Sequence, residues 1–117
     1  MADITRWAED SFCYITTKGR VSGNPHEIEI WFVIHDGALH VISGGTTSDW
    51  VKNLRADPNA RIRVRTKTIE ATATFITDTT TRETPAKLLA AKYQAWKEGE
   101  PLSDWAQTGQ VMSFTPK

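Results

Sequence analysis

The sequence predicts a mainly β protein: a small antiparallel barrel of six strands with two to three short helices. Segments of alternating or β-branched residues outnumber helical ones, most connections between them are short, and helical periodicity occurs at only two places. A parallel sheet would need a long crossover between successive strands, and too few helical segments are present to supply them. An antiparallel barrel with helices filling its gaps is therefore the economical architecture.

Six segments have the composition of strands. The two segments that flank Asp36-Gly37 are expected to form a hairpin, because this dipeptide favours a tight primed turn. In the second segment, alternate residues from His26 to Ile34 share one face, and Trp31 lies on the other. The predicted strands are residues 12–17, 26–35, 38–43, 60–65, 69–77 and 110–115.

Two segments have helical spacing. Residues 48–55 follow a glycine pair and stop before Pro58; Ser48 is a candidate N-cap, or Thr46 could form a capping box with Asp49. Trp50, Val51 and Leu54 form the apolar stripe of this helix. A second helix is predicted over Pro85–Glu98, with Gly99 as its stop.

The composition limits the class of protein. The chain of 117 residues fits one domain, residues 1–117, and carries 14 basic and 14 acidic residues, which argues against a general nucleic-acid binder. Cys13 is the single cysteine, so a reducing compartment and a buried apolar role are expected. No apolar run suits an integral membrane segment, and cytoplasmic localisation is the default. The three histidines do not fall at metal-ligand spacing, so no metal site is predicted.

Two glycine-containing loops are candidate anion sites. Ser43-Gly44-Gly45 leads through hydroxyl residues into the first helix, so unhindered amides and the helix dipole converge there. The loop Gly19-Arg20-Val21-Ser22-Gly23 adds a guanidinium and a hydroxyl. Together they indicate a pocket for a phosphate-bearing cofactor. The alternative is that the first loop only ends a strand and caps a helix, and that the second is a plain hairpin turn.

The arginine row at Arg61, Arg63 and Arg65 has two interpretations as well. It could extend a basic patch, or it could be a solvated strand face balanced by Glu70 on the neighbouring strand, which is the commoner case. Among potential proton donors, Tyr14 and Tyr93 are chemically suitable, but the sequence places neither in a site.

The order of these motifs resembles a known family. Thr16-Thr17-x-Gly-Arg-x-Ser-Gly-x-Pro25, then Ser43-Gly44-Gly45, then the run from Asp49 to Pro58 is similar to the deazaflavin-dependent nitroreductase and quinone reductase family. The resemblance covers about residues 12–65. It implies a split β-barrel of the flavin-binding type and the deazaflavin coenzyme F420.

The resemblance also implies which residues meet the cofactor. Arg20, Ser22 and Gly23 would lie at its polar tail, the 43–45 segment at its phosphate, and Trp31 beside the deazaflavin ring. The family commonly has a lysine where this chain has Val21, which removes one cation. No catalytic residue is assigned. The cofactor-binding candidates are Arg20, Val21, Ser22, Gly23, Trp31, Ser43, Gly44, Gly45, Trp50, Lys52, Asn53 and Arg55.

The implied function is an oxidoreductase that transfers a hydride from reduced F420 to a flat hydrophobic acceptor, such as a quinone or a nitroaromatic compound. Two alternatives stay open at this point: a non-catalytic protein that binds a flavin, a deazaflavin or a lipophilic ligand, and a split barrel that uses FMN. The expected partner is a small hydrophobic substrate, without nucleic acid. Strand faces such as Glu27–Trp31 leave a homodimer open.

Overall fold

A computed structural model describes residues 3–44 and 48–117, and in that part seven strands form one antiparallel sheet. A 3-10 helix and three α-helices accompany it. The strands are β1 (Cys13–Lys18), β2 (Pro25–Ile30), β3 (Val33–His35), β4 (Ala38–Ser43), β5 (Asn59–Val64), β6 (Lys67–Ile76) and β7 (Gln110–Pro116). The 3-10 helix is Thr5–Glu9, and the α-helices are α1 (Asp49–Ala56), α2 (Thr79–Gln94) and α3 (Asp104–Thr108).

The strand order shows how the sheet closes. The order is β2-β1-β5-β6-β7-β4-β3, so the two edge strands are consecutive in sequence and only Trp31 and Phe32 separate them. Three Cα–Cα steps span at most about 11 Å, which forces the two edges of the sheet together. The sheet is therefore curled into a split β-barrel, and the predicted fold class is confirmed.

The barrel has seven strands instead of six because the predicted strand 26–35 divides into β2 and β3. The chain must bend at Trp31-Phe32 to pass from one sheet edge to the other. The alternation continues through the bend: Phe32 is fully buried, and Ile30 and Ile34 pack against the same core. For this reason the sequence pattern gives no sign of the break.

Apolar residues pack on both sides of β4. Leu39 and Val41 belong to the main core inside the barrel, whereas Ile42 belongs to a second cluster with Leu89 of α2 and Val111 of β7. Helix α2 therefore covers the outside of the β3, β4 and β7 part of the sheet.

Helix α1 confirms the prediction for residues 48–55 to within one residue. Trp50, Val51 and Leu54 are buried as expected, and Asn53 is buried with them. Ser48 occupies the N-cap, although its side chain makes no capping hydrogen bond within the described residues, and the alternative capping residue, Thr46, lies outside those residues. The Asp36-Gly37 hairpin between β3 and β4 is also confirmed, with φ of 53° and 76° at its two central residues.

Both predicted ends of the second helix are wrong. Helix α2 begins six residues before Pro85, where the Asp78 carboxylate accepts a hydrogen bond of 2.7 Å from the Thr81 N–H. It ends at Gln94, because Ala95 adopts a left-handed φ of 56° and the Trp96 N–H bonds back to the Ala90 carbonyl. An alanine thus ends the helix in the conformation expected of Gly99.

Smaller differences have local causes. Strand β5 ends at Val64, and Arg65 lies in the following turn with a φ of 56°, so the alternating arginine pattern extends one residue beyond the strand. The 3-10 helix and α3 were not predicted, because five residues carry too little periodicity. None of the helices in residues 3–44 and 48–117 combines the length and apolar character needed to cross a bilayer.

Substitution of Gly109 tests how closely α3 packs against the sheet. An added Cβ would overlap Ile42 Cγ2 and lie 2.6 Å from the Trp105 carbonyl oxygen. We expect Gly109→Ala to lower the free energy of unfolding by about 3 kcal/mol in a urea titration. Gly37→Ala is the control, because it strains the backbone but meets no heavy atom within 4 Å, and it should cost about 1 kcal/mol. Equal losses would contradict the close approach.

Candidate functional site

The β1–β2 loop is a compact turn that presents Arg20 and Val21. The Gly23 N–H donates to the Gly19 carbonyl at 2.8 Å, and the Gly19 N–H donates to the Asn24 carbonyl at 2.8 Å. Gly23 has a φ of 78°, a conformation that favours glycine. Ser22 Oγ accepts a hydrogen bond from the Asn24 N–H at 3.1 Å, and Val21 projects from the tip with 91% of its surface exposed.

Asn53 of α1 holds this loop in place. Its Oδ1 accepts from the Arg20 backbone N–H at 3.1 Å and from Arg20 Nη1 at 2.9 Å. Its Nδ2 donates to Thr17 Oγ1 at 3.1 Å, and only 3% of the residue is exposed. Asn53 therefore joins strand, loop and helix through one amide, and this explains a buried polar residue on the apolar side of α1.

The loop and α1 form a cleft of about 380 Å³, called the Arg20 cleft because Arg20 is its basic side chain. Arg20 Nη2 lies 3.3 Å from Asp49 Oδ1, and the Arg20 and Asp49 side chains are 30% and 69% exposed. A guanidinium has five N–H donors, so donors remain for a ligand, but the Asp49 carboxylate offsets part of the charge. The other lining residues include Val21, Ser22, His26 and Asn53.

The glycine loop begins beside a second, aromatic cleft. Ser43 is buried and pairs with Gln110 of β7, and Gly44 follows at the surface, where a Cβ would lie 3.5 Å from Trp105. Gly45 lies outside the described residues, so the predicted anion site there stays a prediction. Gly44, near Trp105, and Asp49, which lines the Arg20 cleft, are five residues apart, so their Cα atoms lie within about 18 Å of each other.

Trp31 forms this aromatic cleft together with residues that the sequence did not indicate. Its ring stacks on Tyr93 with centroids 4.5 Å apart and planes within 3°, and Trp105 meets it edge-on at 5.6 Å. Trp31 remains 44% exposed. The cleft has a volume of about 260 Å³ and is lined by Glu29, Ile30, Trp31, Ile42 and Trp105. Trp105 lies in a five-residue helix, for which no sequence signal existed.

The remaining candidates on α1 are dispersed. Trp50 is 8% exposed and packs in the main core, so it anchors α1 to the barrel instead of facing a ligand. Lys52 is exposed and makes no ion pair with any described residue. The Arg55 guanidinium lies 4.3 Å from the centre of the Phe75 ring. Arg20 contacts one face of α1. At about 100° per residue, Arg55 lies roughly 140° around the helix axis from that face, so the structure does not bring the two arginines together.

The arginine row is neutralised by nearby carboxylates. Arg61, Arg63 and Arg65 each have an acidic partner, with nitrogen–oxygen distances from 2.8 to 3.8 Å. This supports the interpretation as a solvated face instead of a basic patch. The partners are Glu70 for Arg61, Glu27 for Arg63 and Asp10 for Arg65.

The candidate proton donors Tyr14 and Tyr93 have hydroxyls that are already hydrogen-bonded within the protein, and Cys13 is buried. The Tyr14 hydroxyl donates to Glu29 at 3.0 Å, and this hydrogen bond raises the pKa of Tyr14. Burial raises the pKa of Tyr93, whose hydroxyl lies 2.7 Å from the Ser11 carbonyl. Cys13 is fully buried, and burial raises the pKa of its thiol to about 12, so it is a small apolar core residue as predicted.

The histidines occupy three different environments. His26 is exposed in the Arg20 cleft, whereas His40 is 6% exposed and its ring lies 5.6 Å from that of His35. Burial, followed by the nearby His35, lowers the pKa of His40, and its Nδ1 has no hydrogen-bond partner among the described residues. In the same part of the chain, no three His, Cys, Asp or Glu side chains group as a metal site would require.

Most of the chain matches the model of a known protein family. Residues 3–100 match the family model described as F420H(2)-dependent quinone reductase. The chain belongs to this family. No curated protein matches it. The family supports a reductase that uses coenzyme F420, as the resemblance implied, and gives no support to the FMN alternative.

Solved structures share the fold at low sequence identity. A conserved hypothetical protein from Mycobacterium tuberculosis has a TM-score of 0.79 and 18% identity, over 97% of this chain and 79% of that chain. A structure described as an F420-H2 dependent reductase has a TM-score of 0.66 and 20% identity, over 90% and 94%. Another, described as an F420 reductase, has a TM-score of 0.67 and 16% identity, over 100% and 94%. At these identities the likeness establishes the split barrel alone.

The described residues fit the two ends of such a coenzyme. An anionic tail needs hydrogen-bond donors and a cation, and the Arg20 cleft offers a fixed guanidinium with free N–H groups. A flat ring needs an apolar and partly exposed wall, which Trp31 and Trp105 supply.

Asn53→Ala should loosen the Arg20 loop. The substitution removes three hydrogen bonds and leaves Thr17 unpaired in a buried position, so we expect a loss of about 2 kcal/mol in the free energy of unfolding. Lys52→Ala on the same helix is the matched control, and it should change this free energy by less than about 0.5 kcal/mol. Similar losses in both variants would show that Asn53 does not clamp the loop.

His40 should make the fold sensitive to acid. Its pKa in the folded state is lowered from 6.5, so the unfolded chain binds the proton more readily. The stability contributed by neutral His40 is complete above about pH 6.5 and falls as the pH drops toward the lowered folded pKa. Denaturant unfolding at pH 8, 6.5 and 5 should therefore show a shallower pH dependence for His40→Gln than for wild type. Parallel curves would rule out this contribution.

Proposed function

We propose that this F420-dependent reductase transfers a hydride to a flat, hydrophobic, conjugated acceptor, such as a quinone or a nitroaromatic compound. The observation that carries the proposal is an exposed aromatic cleft, formed by Trp31 and Trp105, in a chain that matches the quinone reductase family over residues 3–100. Apolar walls of this kind favour planar conjugated ligands. Quinones fit both the walls and the family description.

In this proposal, the anionic tail of the coenzyme binds where the β1–β2 loop meets α1. Arg20 supplies the cation, Ser22 supplies a hydroxyl, and Gly23 allows the turn that presents them. The backbone of Gly44 and Gly45 supplies further N–H donors toward the phosphate, aided by the positive end of the α1 dipole. Val21 contributes no charge, and Lys52 does not line the cleft.

The ring of the coenzyme and the acceptor would lie beside Trp31. When bound, reduced F420 supplies the hydride, and the chain positions both ring systems and excludes water from one side. Trp50 and Asn53 are buried and hold α1 against the barrel and the β1–β2 loop. Reduction of a quinone to a hydroquinone also consumes a proton. Because the Tyr14 and Tyr93 hydroxyls are already hydrogen-bonded within the protein, we assign this proton to solvent.

Steady-state oxidation of reduced F420 tests the reaction. We expect the coenzyme absorbance to recover when a naphthoquinone or a nitroaromatic compound is added, and not with a saturated ketone of similar size. If the coenzyme binds but no acceptor oxidises it, the protein is the non-catalytic binding module instead. The Arg20–Asp49 ion pair and the valine at position 21 are the observations that favour that alternative.

If the coenzyme tail binds at Arg20, substitutions of Arg20 and of its partner Asp49 should have opposite effects on affinity. Arg20→Ala should weaken binding of oxidised F420 about tenfold or more, because it removes a charge-assisted hydrogen-bond donor. Asp49→Asn should strengthen binding, since it removes the carboxylate that competes for Arg20. Quenching of tryptophan fluorescence during titration measures both affinities.

Arg61→Ala is the matched control for this pair of substitutions. It removes an equally positive side chain whose partner is Glu70, outside the cleft. Binding should stay within about twofold of wild type. A loss equal to that of Arg20→Ala would indicate a general charge effect and would contradict the assignment of the tail to the β1–β2 loop.

A further inference from the structure

Tyr93 occupies a special position over the bend between β2 and β3. Its hydroxyl accepts a hydrogen bond from the Phe32 N–H at 3.0 Å and lies 2.7 Å from the Ser11 carbonyl, to which it donates. Lys92, the preceding residue, donates to the Phe32 carbonyl at 2.9 Å. The end of α2 is thus anchored to the backbone where the barrel closes, and the place of the Tyr93 ring is fixed.

The fixed ring covers one face of Trp31. The two ring planes are parallel within 3° at a centroid distance of 4.5 Å, and Trp105 approaches Trp31 at 90°. Even so, 44% of Trp31 is exposed. A tryptophan this exposed would ordinarily exchange between rotamers, and a parallel stack against an anchored partner restricts that freedom.

We propose that Tyr93 is a positioning residue that acts through Trp31. Its hydroxyl fixes the ring to the closure of the barrel, and the ring holds the indole of Trp31 upright as a wall of the aromatic cleft. A wall ordered before binding spares the ligand the cost of ordering it. The positioning itself is a property of the free protein, whereas its effect on coenzyme affinity rests on the proposed function.

The ligand-free test uses near-ultraviolet circular dichroism. For each Tyr93 variant, the spectrum minus that of the same variant carrying Trp31→Phe gives the contribution of Trp31. We expect Tyr93→Leu to lose more than half of this contribution, because the stack is gone, and Tyr93→Phe to lose a smaller part, because the stack survives without the hydroxyl anchor. Tyr93→Met is the substitute if Tyr93→Leu does not fold. A contribution unchanged in the leucine or methionine variant would overturn the proposal.

A stability control separates positioning from general loosening. Ile62→Val removes one methyl group from the fully buried core on β5, away from α2. It should lower the unfolding midpoint and leave the Trp31 contribution intact. Loss of that contribution in Ile62→Val as well would show that the signal follows stability and would overturn the specific role of Tyr93.

The ligand test is a double-mutant cycle on the binding of oxidised F420. Tyr93→Leu should weaken binding about tenfold when Trp31 is present and less than twofold in the Trp31→Phe background, because the effect passes through the indole. Equal losses in both backgrounds would contradict this route. If wild type itself fails to bind F420, the proposed function falls, and the ligand-free measurement still decides whether Tyr93 positions Trp31.

Discussion

The closure of the barrel at Trp31-Phe32 is the constraint on which the rest of the structure depends. Two residues carry the chain between the edge strands β2 and β3, so the backbone here cannot complete a regular ladder. Phe32 fills the core with its side chain, while Tyr93 and Lys92 satisfy its amide and carbonyl groups. Buried peptide groups must find partners, and α2 supplies them here. The C-terminal half of the chain therefore completes a barrel that the N-terminal half begins.

The same bend creates the aromatic part of the candidate site. Because Phe32 turns inward, Trp31 turns outward, where it meets Tyr93 from α2 and Trp105 from α3. A second anchor, the Asn53 amide, holds the Arg20 loop against α1. Both parts of the site are therefore fixed by contacts to the scaffold. Preorganisation of this kind suits a protein whose cofactor carries the chemistry, since the chain's task is then to bind and orient.

Within residues 3–44 and 48–117, Arg20 is the cation that lines the cleft between the β1–β2 loop and α1. The arginines of β5 and its turn are paired with acidic residues, and Arg55 lies over Phe75 on another face of α1. Arg20 is held by Asn53 and shared with Asp49, so its attraction for an anion is real but reduced. The chain has zero net charge, but it has a local preference for anions at Arg20. This preference depends on the position of Arg20 in the structure and not on the composition of the chain.

The sequence by itself determined the mainly antiparallel barrel, the Asp36-Gly37 hairpin, the apolar face of α1 and the motifs of the F420-dependent family, because each is written in local spacing. Only the tertiary structure decided that one alternating run forms two strands, that α2 begins at Thr79 with Pro85 inside it, and that Arg55 lies apart from Arg20. It also brought Tyr93 and Trp105 to Trp31 from more than sixty residues away. Contacts between distant segments follow from how the sheet closes, and periodicity along the chain carries no record of that closure.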